Sequence, residues 1–465
     1  MTLTAIDLFC GAGGFSKGFE NAGIKVVYGV DINPAFEKTF TENHLSTRFL
    51  CYDISREVPK EIKECELDIV FGSPPCQGFS DARGNREPQN KIQIMRNSLP
   101  IHFARWVKEL RPKIVMMENV SGMATYRVGG KLFIDILKRI FNKIGYDFTW
   151  KILNSADFGV PQERRRVFCL GIRKDLKLKA VLRIDPLRHR FGEKVVTVND
   201  AISDLPEVAN TPDEVVEHIP RGHLHPYQKL MRKNSERVFN HCTITKFDKN
   251  VLRILKRIPE GKIYRSSRFG ERYVGVWEIF GDELKDDEKE LLHFLCKKRT
   301  NNKYKQLKGR YKEGYLFLSA FPTDKDGKFL WSDEYPKYGR NDNRTPEQII
   351  NSLLRNKWIR VKTFNGVPAY DINTKSGIRP LYMRLSRDKP SRTIMTTSFS
   401  PRELVHPTEH RPITLREGAR LQSFPDNFIF FGRPKEIAIQ IGNAVPPLMA
   451  QELGMFLTEL SQHFI

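Results

Sequence analysis

Cys76 is the residue of this sequence whose setting most clearly indicates chemistry. It lies in GSPPCQGFS, residues 72–80, where Pro74 and Pro75 stiffen the backbone in front of it and a glycine follows closely. A structural cysteine needs no such frame, whereas a thiolate nucleophile is presented rigidly in a cleft near positive charge. The polar stretch at residues 80–98 could close over the cleft and touch a polyanion. The pattern predicts a nucleophilic thiol.

A glycine-rich turn near the start of the sequence indicates a nucleoside-binding loop. In DLFCGAGG, residues 7–14, glycines let a ligand approach the backbone closely. The dinucleotide pattern G-x-G-x-x-G fails because its sixth position is Ser16, which disfavours a nicotinamide oxidoreductase. Asp31 and Asp53 end the next strand-like segments, where they could hold a ribose diol and accept from an adenine amino group. The set fits an adenosine ligand without a pyrophosphate, such as S-adenosylmethionine; a plain tight turn is the alternative.

A carboxyl group and an arginine run are the other candidates for chemistry. Glu118 follows an apolar segment, so we expect apolar surroundings that favour its protonated form, which can donate a hydrogen bond to a ring nitrogen. A helix-capping or salt-bridged glutamate is the alternative. QERRR, residues 162–166, precedes another apolar segment. Its arginines could clamp a phosphate or a base carbonyl, or they could form a solvated charge run.

The elements that must position these residues alternate along the first 175 residues. Short segments rich in Val, Ile and Phe predict strands, and the segments between them predict helices. The predicted strands cover residues 5–9, 26–30, 68–72, 114–117 and 167–172, and the predicted helices cover residues 15–22, 34–43, 99–110 and 131–144. This alternation predicts an α/β fold with a parallel, doubly wound sheet, whose ligands bind at the carboxyl ends of the strands.

The sequence after about residue 175 is basic and irregular, and order returns near its end. TPEQ, residues 345–348, predicts a capped helix, and the strand-like segments 358–364 and 368–371 flank an Asn-Gly turn. This combination resembles a winged-helix element. TLRE, residues 414–417, predicts a second capped helix, and Pro446 and Pro447 start an amphipathic helix to about residue 460. The middle region therefore looks inserted.

The composition indicates which kinds of partner the protein binds. The net charge is +22, from 77 Lys+Arg against 55 Asp+Glu, which favours a nucleic acid partner over a merely solvated basic surface. Seven scattered cysteines argue against a disulfide framework and a zinc site, and His218, His223 and His225 match no usual zinc spacing, so we predict no metal. The absence of a long apolar run or a secretory signal predicts a cytoplasmic protein without a membrane partner.

Seven sequence blocks together resemble the bacterial type of DNA (cytosine-5)-methyltransferase. They occur in the order usual for that family, and they are DLFCGAGGFSKGF, YGVDINP, GSPPCQGFS, ENV, ADFGVPQERRRVF, RPITLREGARLQSFPD and IGNAVPP. The resemblance implies that Cys76 attacks C6 of a cytosine flipped out of the duplex, and that C5 takes a methyl group from S-adenosyl-L-methionine. It also implies that Glu118 holds N3 and the exocyclic amine, and that Arg164 and Arg166 complete the site, with Arg166 at the base O2.

The resemblance also implies a set of cofactor-binding residues. The ribose position, often glutamate in the family, is Asp31 here. The full expected set is Phe9, Gly11, Ala12, Gly13, Gly14, Asp31, Ile32, Asp53, Ile54, Pro74, Asn443 and Val445.

The fold that the resemblance implies is a doubly wound, Rossmann-like S-adenosylmethionine-dependent methyltransferase domain with an inserted, smaller target-recognition domain. Residues 1–185 would begin the catalytic domain, residues 186–435 would form the target-recognition domain with the winged-helix-like element near 345–371, and residues 436–465 would return to the catalytic domain.

The implied partners are double-stranded DNA and a cognate restriction endonuclease that acts separately, with the protein a monomer at the bacterial nucleoid. Two alternatives remain open. A tRNA cytosine-5 methyltransferase is disfavoured by the large middle region. A catalytically inactive DNA-binding homologue is disfavoured by the intact Cys76, Glu118 and Arg166.

Overall fold

The structure is a computed structural model, and it describes the greater part of the chain. The described residues are 2–75, 98–182, 184, 191, 195–218, 222–244, 249–264, 273–274, 279–289, 291–292, 344, 346–356, 358–364, 367–372 and 382–464. They fall into two units. The first unit comprises Met1–Ile244, Ser386–Phe399 and Ile413–Ile465, and the second comprises Thr245–Leu385 and Ser400–Pro412.

The strands and helices are numbered in chain order. The strands are β1 (Thr4–Leu8), β2 (Lys25–Asp31), β3 (Arg48–Cys51), β4 (Ile69–Gly72), β5 (Ile114–Val120), β6 (Arg127–Val128), β7 (Lys131–Leu132), β8 (Tyr146–Asn154), β9 (Gln162–Glu163), β10 (Arg165–Arg173), β11 (Val216–Glu217), β12 (Arg237–Val238), β13 (Ile263–Tyr264), β14 (Tyr273–Val274), β15 (Ile359–Phe364), β16 (Val367–Ile372), β17 (Met383–Arg384), β18 (Ser391–Arg392) and β19 (Leu404–Val405). The helices are α1 (Gly14–Asn21), α2 (Glu37–Asn43), α3 (Lys60–Lys63), α4 (Leu99–Leu110), α5 (Phe133–Lys143), α6 (Val198–Ile202), α7 (Pro226–Arg232), α8 (Lys249–Arg257), α9 (Pro346–Arg355), α10 (Leu415–Leu421), α11 (Pro434–Asn443) and α12 (Pro447–Ser461).

A seven-stranded sheet lies at the centre of the first unit. Its strand order is β3-β2-β1-β4-β5-β10-β8. The first five strands in this order are parallel, as the sequence predicts, whereas β10 runs antiparallel to both β5 and β8. The prediction of a wholly parallel sheet is therefore wrong at residues 167–172. The physical reason is that β8 and β10 are joined by a short connection, and antiparallel neighbours need no crossover helix.

The core of the first unit forms because its strands and helices each present apolar side chains to one another. All four residues of β4 are buried, and so are the first six of β5. From α4 and α5, Phe103, Trp106 and Phe141 are fully buried in the same cluster. Full burial of such a side chain contributes about 1.5–3 kcal/mol, which is why these amphipathic helices dock on the sheet.

The late segments of the chain complete this same unit. Thr414 caps α10, because its hydroxyl accepts from the Glu417 amide at 3.1 Å while the Glu417 carboxylate accepts from the Thr414 amide at 2.8 Å. The predicted capping box is thus confirmed. Helix α12 begins at Pro447, also as predicted, and packs so closely on α1 that a side chain at Gly18 would collide with Ala450.

A buried ionic network ties further segments of the first unit together. The Arg420 guanidinium lies 2.6 Å from Asp426 Oδ1 and 3.0 Å from Asp204 Oδ1. His218 Nε2 lies 2.8 Å from Asp426 Oδ2. Although burial alone would raise it, the Arg420 charge and the His218 hydrogen bond hold the pKa of the Asp426 carboxyl well below its usual range. The charges are thereby compensated inside the core.

The second unit has its own core and a separate small sheet. Helices α8 and α9 contribute Leu255 and Leu353 to one cluster, and the sheet order is β14-β13-β17-β19. Strands β15 and β16 form an antiparallel hairpin in which Phe364 pairs with Val367, as the sequence predicts. Residues 365–366, the predicted turn, lie outside the described residues, and the winged-helix interpretation stays a prediction.

The predicted domain boundaries do not coincide with the two units. Residues 186–244 and 413–435, which the sequence places in a target-recognition domain, belong to the first unit. The assignment of recognition to residues 186–435 therefore stays a prediction. Among the described residues, no helix combines the length and the apolar character needed to cross a membrane.

Candidate active site

Predicted site residues at or just after the ends of β1, β2, β3 and β5 lie at one edge of the seven-stranded sheet. Strands β1 to β5 are parallel, so their carboxyl ends meet at this edge. Because β10 is antiparallel, it starts at the same edge, where Arg166 pairs with Val120 at the end of β5. The arginine run is therefore brought beside Glu118 by the very strand direction that the sequence did not predict.

The glycine loop after β1 is held in a conformation that presents its backbone. Phe9 has φ of 67°, Gly11 of 54° and Gly13 of 89°, all in the left-handed region. The amides of Phe9 and Cys10 both donate to the Val30 carbonyl, at 2.8 and 3.1 Å. A Cβ atom added at Gly11 would meet no other atom within 4 Å. The backbone at Gly11 is thus open to a ligand.

Asp31 fixes this loop to the end of β2. Its carboxylate accepts from the Gly11 amide at 3.0 Å and from the Asn33 amide at 2.9 Å. Burial raises the pKa of the Asp31 carboxyl, and these two hydrogen bonds oppose that rise. The neighbouring Ile32 leaves 64% of its surface exposed, which is unusual for an isoleucine and provides an apolar face beside the loop.

A polar pair beneath the loop was missed by the sequence reasoning. Ser16, used only to reject a dinucleotide loop, donates its hydroxyl proton to Asp7 Oδ2 at 2.6 Å, and both residues are buried. Burial raises the pKa of the Asp7 carboxyl, while the Ser16 hydrogen bond opposes the rise. The pair joins the end of β1 to the first turn of α1, and so holds the two ends of the glycine loop together.

The last sequence block reaches the glycine loop. A side chain at Gly14 would lie 2.6 Å from the Val445 carbonyl oxygen. Val445 is buried, and Asn443 is the last residue of α11. Val445 therefore lies next to the loop, and Ala12 within the loop is itself buried.

Asp53 begins a tight turn after β3. Its Oδ1 accepts from the Ser55 amide at 2.8 Å, and the Arg56 amide donates to the Asp53 carbonyl at 2.9 Å. Partial burial would raise the pKa of the Asp53 carboxyl, but the Ser55 hydrogen bonds and the Arg56 charge outweigh it and lower that pKa. Ile54, the next residue, is buried in the core. The carboxylate is thus kept ionised at a strand end.

The segment that leads to the predicted nucleophile is attached to β5. Asn119 is buried, and its side-chain amide donates to the Pro74 carbonyl at 3.0 Å. At the end of β4, any side chain at Gly72 would collide with the Leu8 carbonyl of β1. Cys76 itself, two residues after Pro74, lies outside the described residues. Asn119 directly follows Glu118 in the ENV block. Its position in that block could have indicated a role in the site, but the sequence analysis did not single it out.

Glu118 faces Arg166. The Arg166 Nε atom lies 3.1 Å from Glu118 Oε1, and Glu118 is 7% exposed. The surroundings of Glu118 are therefore not purely apolar, which differs from the main expectation and agrees with the salt-bridged alternative. The pair places a carboxyl group and a guanidinium group side by side at the active edge.

The three successive arginines have three different environments. Arg164 is buried and donates to the carbonyls of Ile394 and Gly442, at 3.0 and 3.3 Å. Arg165 is exposed, and Arg166 contacts Glu118. The segment is therefore not a solvated charge run, and contact of its arginines with a phosphate or a base carbonyl stays a prediction.

Gln162, at the start of the same block, was not singled out from the sequence. Its Oε1 accepts from the Ile394 amide at 2.7 Å, and its Nε2 donates to Leu421 at 3.1 Å. It is fully buried. With Arg164 it joins the arginine strand to the late segments of the first unit, and only the tertiary structure reveals those partners.

Comparison with known proteins places this geometry in a family. The chain is 29% identical over 463 residues to the Type II methyltransferase M.DdeI of Desulfomicrobium norvegicum, with 97% of this chain and 88% of that protein covered. It is 29% identical over 488 residues to the Type II methyltransferase M.AgeI of Thalassovita gelatinovora, with 97% of this chain and 98% of that protein covered.

A solved structure shares the fold. It is described as an E. coli DNA modification methyltransferase encoded within a prophage, and it superposes with a TM-score of 0.60 at 21% identity, covering 99% of this chain and 100% of that chain. The family described as C-5 cytosine-specific DNA methylase matches residues 3–458. The chain therefore belongs to the family of C-5 cytosine-specific DNA methylases, and it is a DNA (cytosine-5-)-methyltransferase whose methyl donor is S-adenosyl-L-methionine.

Proposed function

We propose that this enzyme methylates cytosine within a specific sequence of duplex DNA, and that it does so through a covalent bond between Cys76 and C6 of a flipped-out base. The observation that carries the proposal is the hydrogen bond from Asn119 to the Pro74 carbonyl, at 3.0 Å. It fixes the chain two residues before Cys76 beside the strand that bears Glu118. We therefore expect the nucleophile to lie at the same edge of the sheet as the group that would activate the ring.

The residues at the ends of β1, β2 and β3 fit the cofactor. Gly11 offers an open backbone, Ile32 an exposed apolar face, and Asp31 a carboxylate. Asp53 supplies a second carboxylate suited to an adenine amino group. When bound, S-adenosyl-L-methionine supplies an electrophilic methyl group. The full proposed binding set is Phe9, Gly11, Ala12, Gly13, Gly14, Asp31, Ile32, Asp53, Ile54, Pro74, Asn443 and Val445.

The proposed chemistry begins at the thiolate of Cys76. Its sulfur forms a bond to C6 of cytosine, and the displaced electron pair makes C5 nucleophilic. C5 would then accept the methyl group that bound S-adenosyl-L-methionine would supply, with the cofactor sulfur as the leaving group. A base removes the C5 proton, and elimination breaks the bond between sulfur and C6. The thiolate and 5-methylcytosine are released.

Glu118 and Arg166 are the proposed partners of the ring during these steps. A carboxyl group at N3 and the exocyclic amine stabilises the electron-rich ring, and preorganised groups of this kind act strongly in a water-excluded site. Arg166, 3.1 Å from Glu118, holds that carboxyl in place and is the proposed contact to the base O2. The contacts of Arg164 to two backbone carbonyls favour a positioning role within the catalytic set.

The proposed substrate state is an extruded cytosine, because C5 and C6 are inaccessible within a stacked duplex. We assign sequence recognition to residues 186–435, with the hairpin region near 345–371 as an elaboration. We further propose that the enzyme acts as a monomer in the bacterial cytoplasm at the nucleoid, with a cognate restriction endonuclease acting separately. The family description names DNA, which argues against a tRNA substrate.

Bisulfite sequencing of DNA from cells that express the enzyme tests the proposal. We expect protected cytosines at one position of one short sequence with the wild-type chain, and none with Cys76→Ala. Cys65→Ala is the matched control, because Cys65 is a half-buried free cysteine between α3 and β4 that takes part in no proposed contact, and it should leave the pattern unchanged.

Two outcomes would contradict the proposal. Persistent methylation by Cys76→Ala would exclude the covalent mechanism. Unprotected cytosines throughout the wild-type sample would point instead to a tRNA substrate or to an inactive DNA-binding homologue. An assay of methyl transfer to purified tRNA would distinguish these two alternatives.

A further inference from the structure

Two side chains of helix α4 donate hydrogen bonds to the turn that carries Asp53. Trp106 donates its indole proton toward two carbonyl oxygens, with Nε1 3.0 Å from that of Ile54 and 3.2 Å from that of Arg56. Arg105 donates to the same two carbonyls, at 3.0 Å for Ile54 and in a closer contact for Arg56. Both acceptors are therefore shared by two donors from adjacent positions of one helix.

We propose that Trp106 and Arg105 are positioning residues that make the cofactor site specific for adenine by holding Asp53 in place. The inference rests on the proposed cofactor contacts, in which Asp53 accepts from the adenine amino group. It extends them to residues that touch no cofactor atom.

The turn is built so that fixing these carbonyls fixes the carboxylate. Ile54 directly follows Asp53, and the Asp53 side chain bonds the Ser55 amide at 2.8 Å. The Arg56 amide closes the turn on the Asp53 carbonyl at 2.9 Å. The carbonyls of Ile54 and Arg56 thus flank Ser55, the residue whose amide orients the Asp53 carboxylate.

Trp106, one of the two residues that bond to this turn, is itself held rigidly in the core. Trp106 is fully buried, and it shares one core cluster with Ile54 and Val58. The indole ring alone would fill this space whatever its polar atom did. The convergence of four donor contacts on two carbonyls is what goes beyond packing, since one acceptor would satisfy the indole.

Rigidity matters here because discrimination depends on a repulsive contact as well as an attractive one. A fixed carboxylate accepts from the adenine amino group but faces an oxygen in hypoxanthine, where both groups present lone pairs. A carboxylate free to turn away would avoid that repulsion and tolerate either base. Sites lose specificity when their supporting residues are loosened.

The test compares the dissociation constants of S-adenosylhomocysteine and S-inosylhomocysteine, measured by calorimetry on the full chain. For the wild type we expect a preference for the adenosyl compound of roughly ten- to a hundredfold, the effect of a hydrogen bond to a charged group. In the double variant Trp106→Phe with Arg105→Met, we expect that ratio to fall about tenfold, since an aromatic ring and an apolar stem remain while all four donor contacts are lost.

Two further variants keep the test decisive. Arg105→Lys alone changes a half-buried position and leaves the core intact, and we expect it to reduce the ratio by a smaller factor. Lys108→Gln, at an exposed position of the same helix, should leave the ratio unchanged.

Equal weakening of both ligands, with the ratio preserved, would show that the pair is merely structural and would overturn the inference. A wild-type protein that binds both compounds equally would overturn the assignment of Asp53 to adenine, on which the inference rests. Neither result depends on methyl transfer, so a failure of the proposed Cys76 mechanism is detected separately by the bisulfite experiment.

Discussion

The pairing of Glu118 with Arg166 determines how the carboxyl group can meet a base. The guanidinium contacts Oε1 at 3.1 Å on one side, in a site where Glu118 is largely removed from water. A carboxyl group held in this way is oriented before the substrate arrives, which lowers the reorganisation needed in the transition state. Its shape and its charge should therefore have separable effects on catalysis.

Glu118→Gln is expected to lower the rate of methyl transfer by roughly a hundred- to a thousandfold, the usual cost of one preorganised partner of the transition state. The amide keeps the size of the side chain but loses the charge that Arg166 balances. Single-turnover transfer of labelled methyl groups measures the rate, and gel-shift titration should show DNA affinity within about threefold of the wild type. A rate within tenfold of the wild type would remove Glu118 from the catalytic set.

Gly13 is a second residue whose substitution has a defined consequence. Its φ of 89° disfavours any side chain, and an added Cβ would collide with the imidazole of His44. That ring cannot move aside easily, because it is buried and its Nδ1 lies 2.9 Å from Glu20 Oε2. Gly23 has a similar φ of 84° but open space around it.

Gly13→Ala should therefore lower the melting temperature more than Gly23→Ala does. The left-handed conformation alone costs roughly 1–2 kcal/mol, and the collision adds about 1–3 kcal/mol. Gly13→Ala should also weaken S-adenosylhomocysteine binding, which Gly23→Ala should not. Equal melting temperatures for the two variants would mean that the loop shifts freely away from His44.

At the scale of elements, the neighbouring arginines at and just before the start of β10 have different roles. Arg164 joins the strand to Ile394 and to Gly442, the residue before Asn443. Arg165 faces solvent. The proposed base-binding strand and the proposed cofactor wall are thus connected through one buried guanidinium.

Arg164→Lys is expected to destabilise the protein by about 2 kcal/mol. The single nitrogen of lysine cannot occupy the positions of the two guanidinium nitrogens that contact separate carbonyls, so one buried carbonyl loses its partner. Urea unfolding followed by the fluorescence of the first unit would measure it, with Arg165→Lys as the matched and neutral control. Equal stability of the two variants would mean that the Arg164 contacts contribute nothing.

The elements also show what the sequence could and could not predict. Glycines and acids directly after apolar segments were sufficient to predict that these residues share one edge of the sheet, because the carboxyl ends of parallel strands converge. The place of Cys76 at that edge stays a prediction. The apolar segment at residues 167–172 predicted a strand but could not give its direction, which depends on its neighbours β5 and β8. Trp106 gave no functional signal, since a tryptophan in an amphipathic helix has the appearance of core.

At the scale of the whole molecule, buried charges join distant parts of the chain. Asp426 and His218 are 208 residues apart in sequence, and Asp204 and Arg420 are 216 apart. Removing one partner from such a network typically costs about 3–5 kcal/mol, because the remaining charge stays buried without compensation. The network is therefore sensitive to the protonation of its carboxylates.

Asp426→Asn should lower the melting temperature strongly at pH 7, and the difference from the wild type should shrink as the pH falls below about 4. Since the pKa of Asp426 is lower in the folded than in the unfolded protein, its contribution is complete above the unfolded value and is lost on acidification. Asp213→Asn removes the same charge at an exposed position and serves as control. A difference that stays constant down to pH 3 would contradict the assigned role.

The net charge of +22 makes a prediction about DNA binding that no single contact carries. If six or more phosphates are neutralised, raising the salt concentration from about 50 to about 200 mM should weaken binding to a duplex roughly a thousandfold or more. S-adenosylhomocysteine affinity should change little over the same range, which provides the internal control. Salt-independent duplex binding, measured by fluorescence anisotropy, would contradict an electrostatic interface.

The arrangement of chain segments in the first unit also affects when the enzyme becomes active during its synthesis. Helix α2 bonds to a partner made much later, since the Thr39 hydroxyl accepts from the Phe431 amide 392 residues further along. At about 5–20 residues per second, a ribosome needs roughly 20–80 s to cover that interval. Throughout that time the nascent chain carries its glycine loop without Val445 and α12 beside it. We expect each new molecule to acquire its cofactor only after Val445 and α12 have been synthesised, so that methylation lags the synthesis of the glycine loop by about a minute.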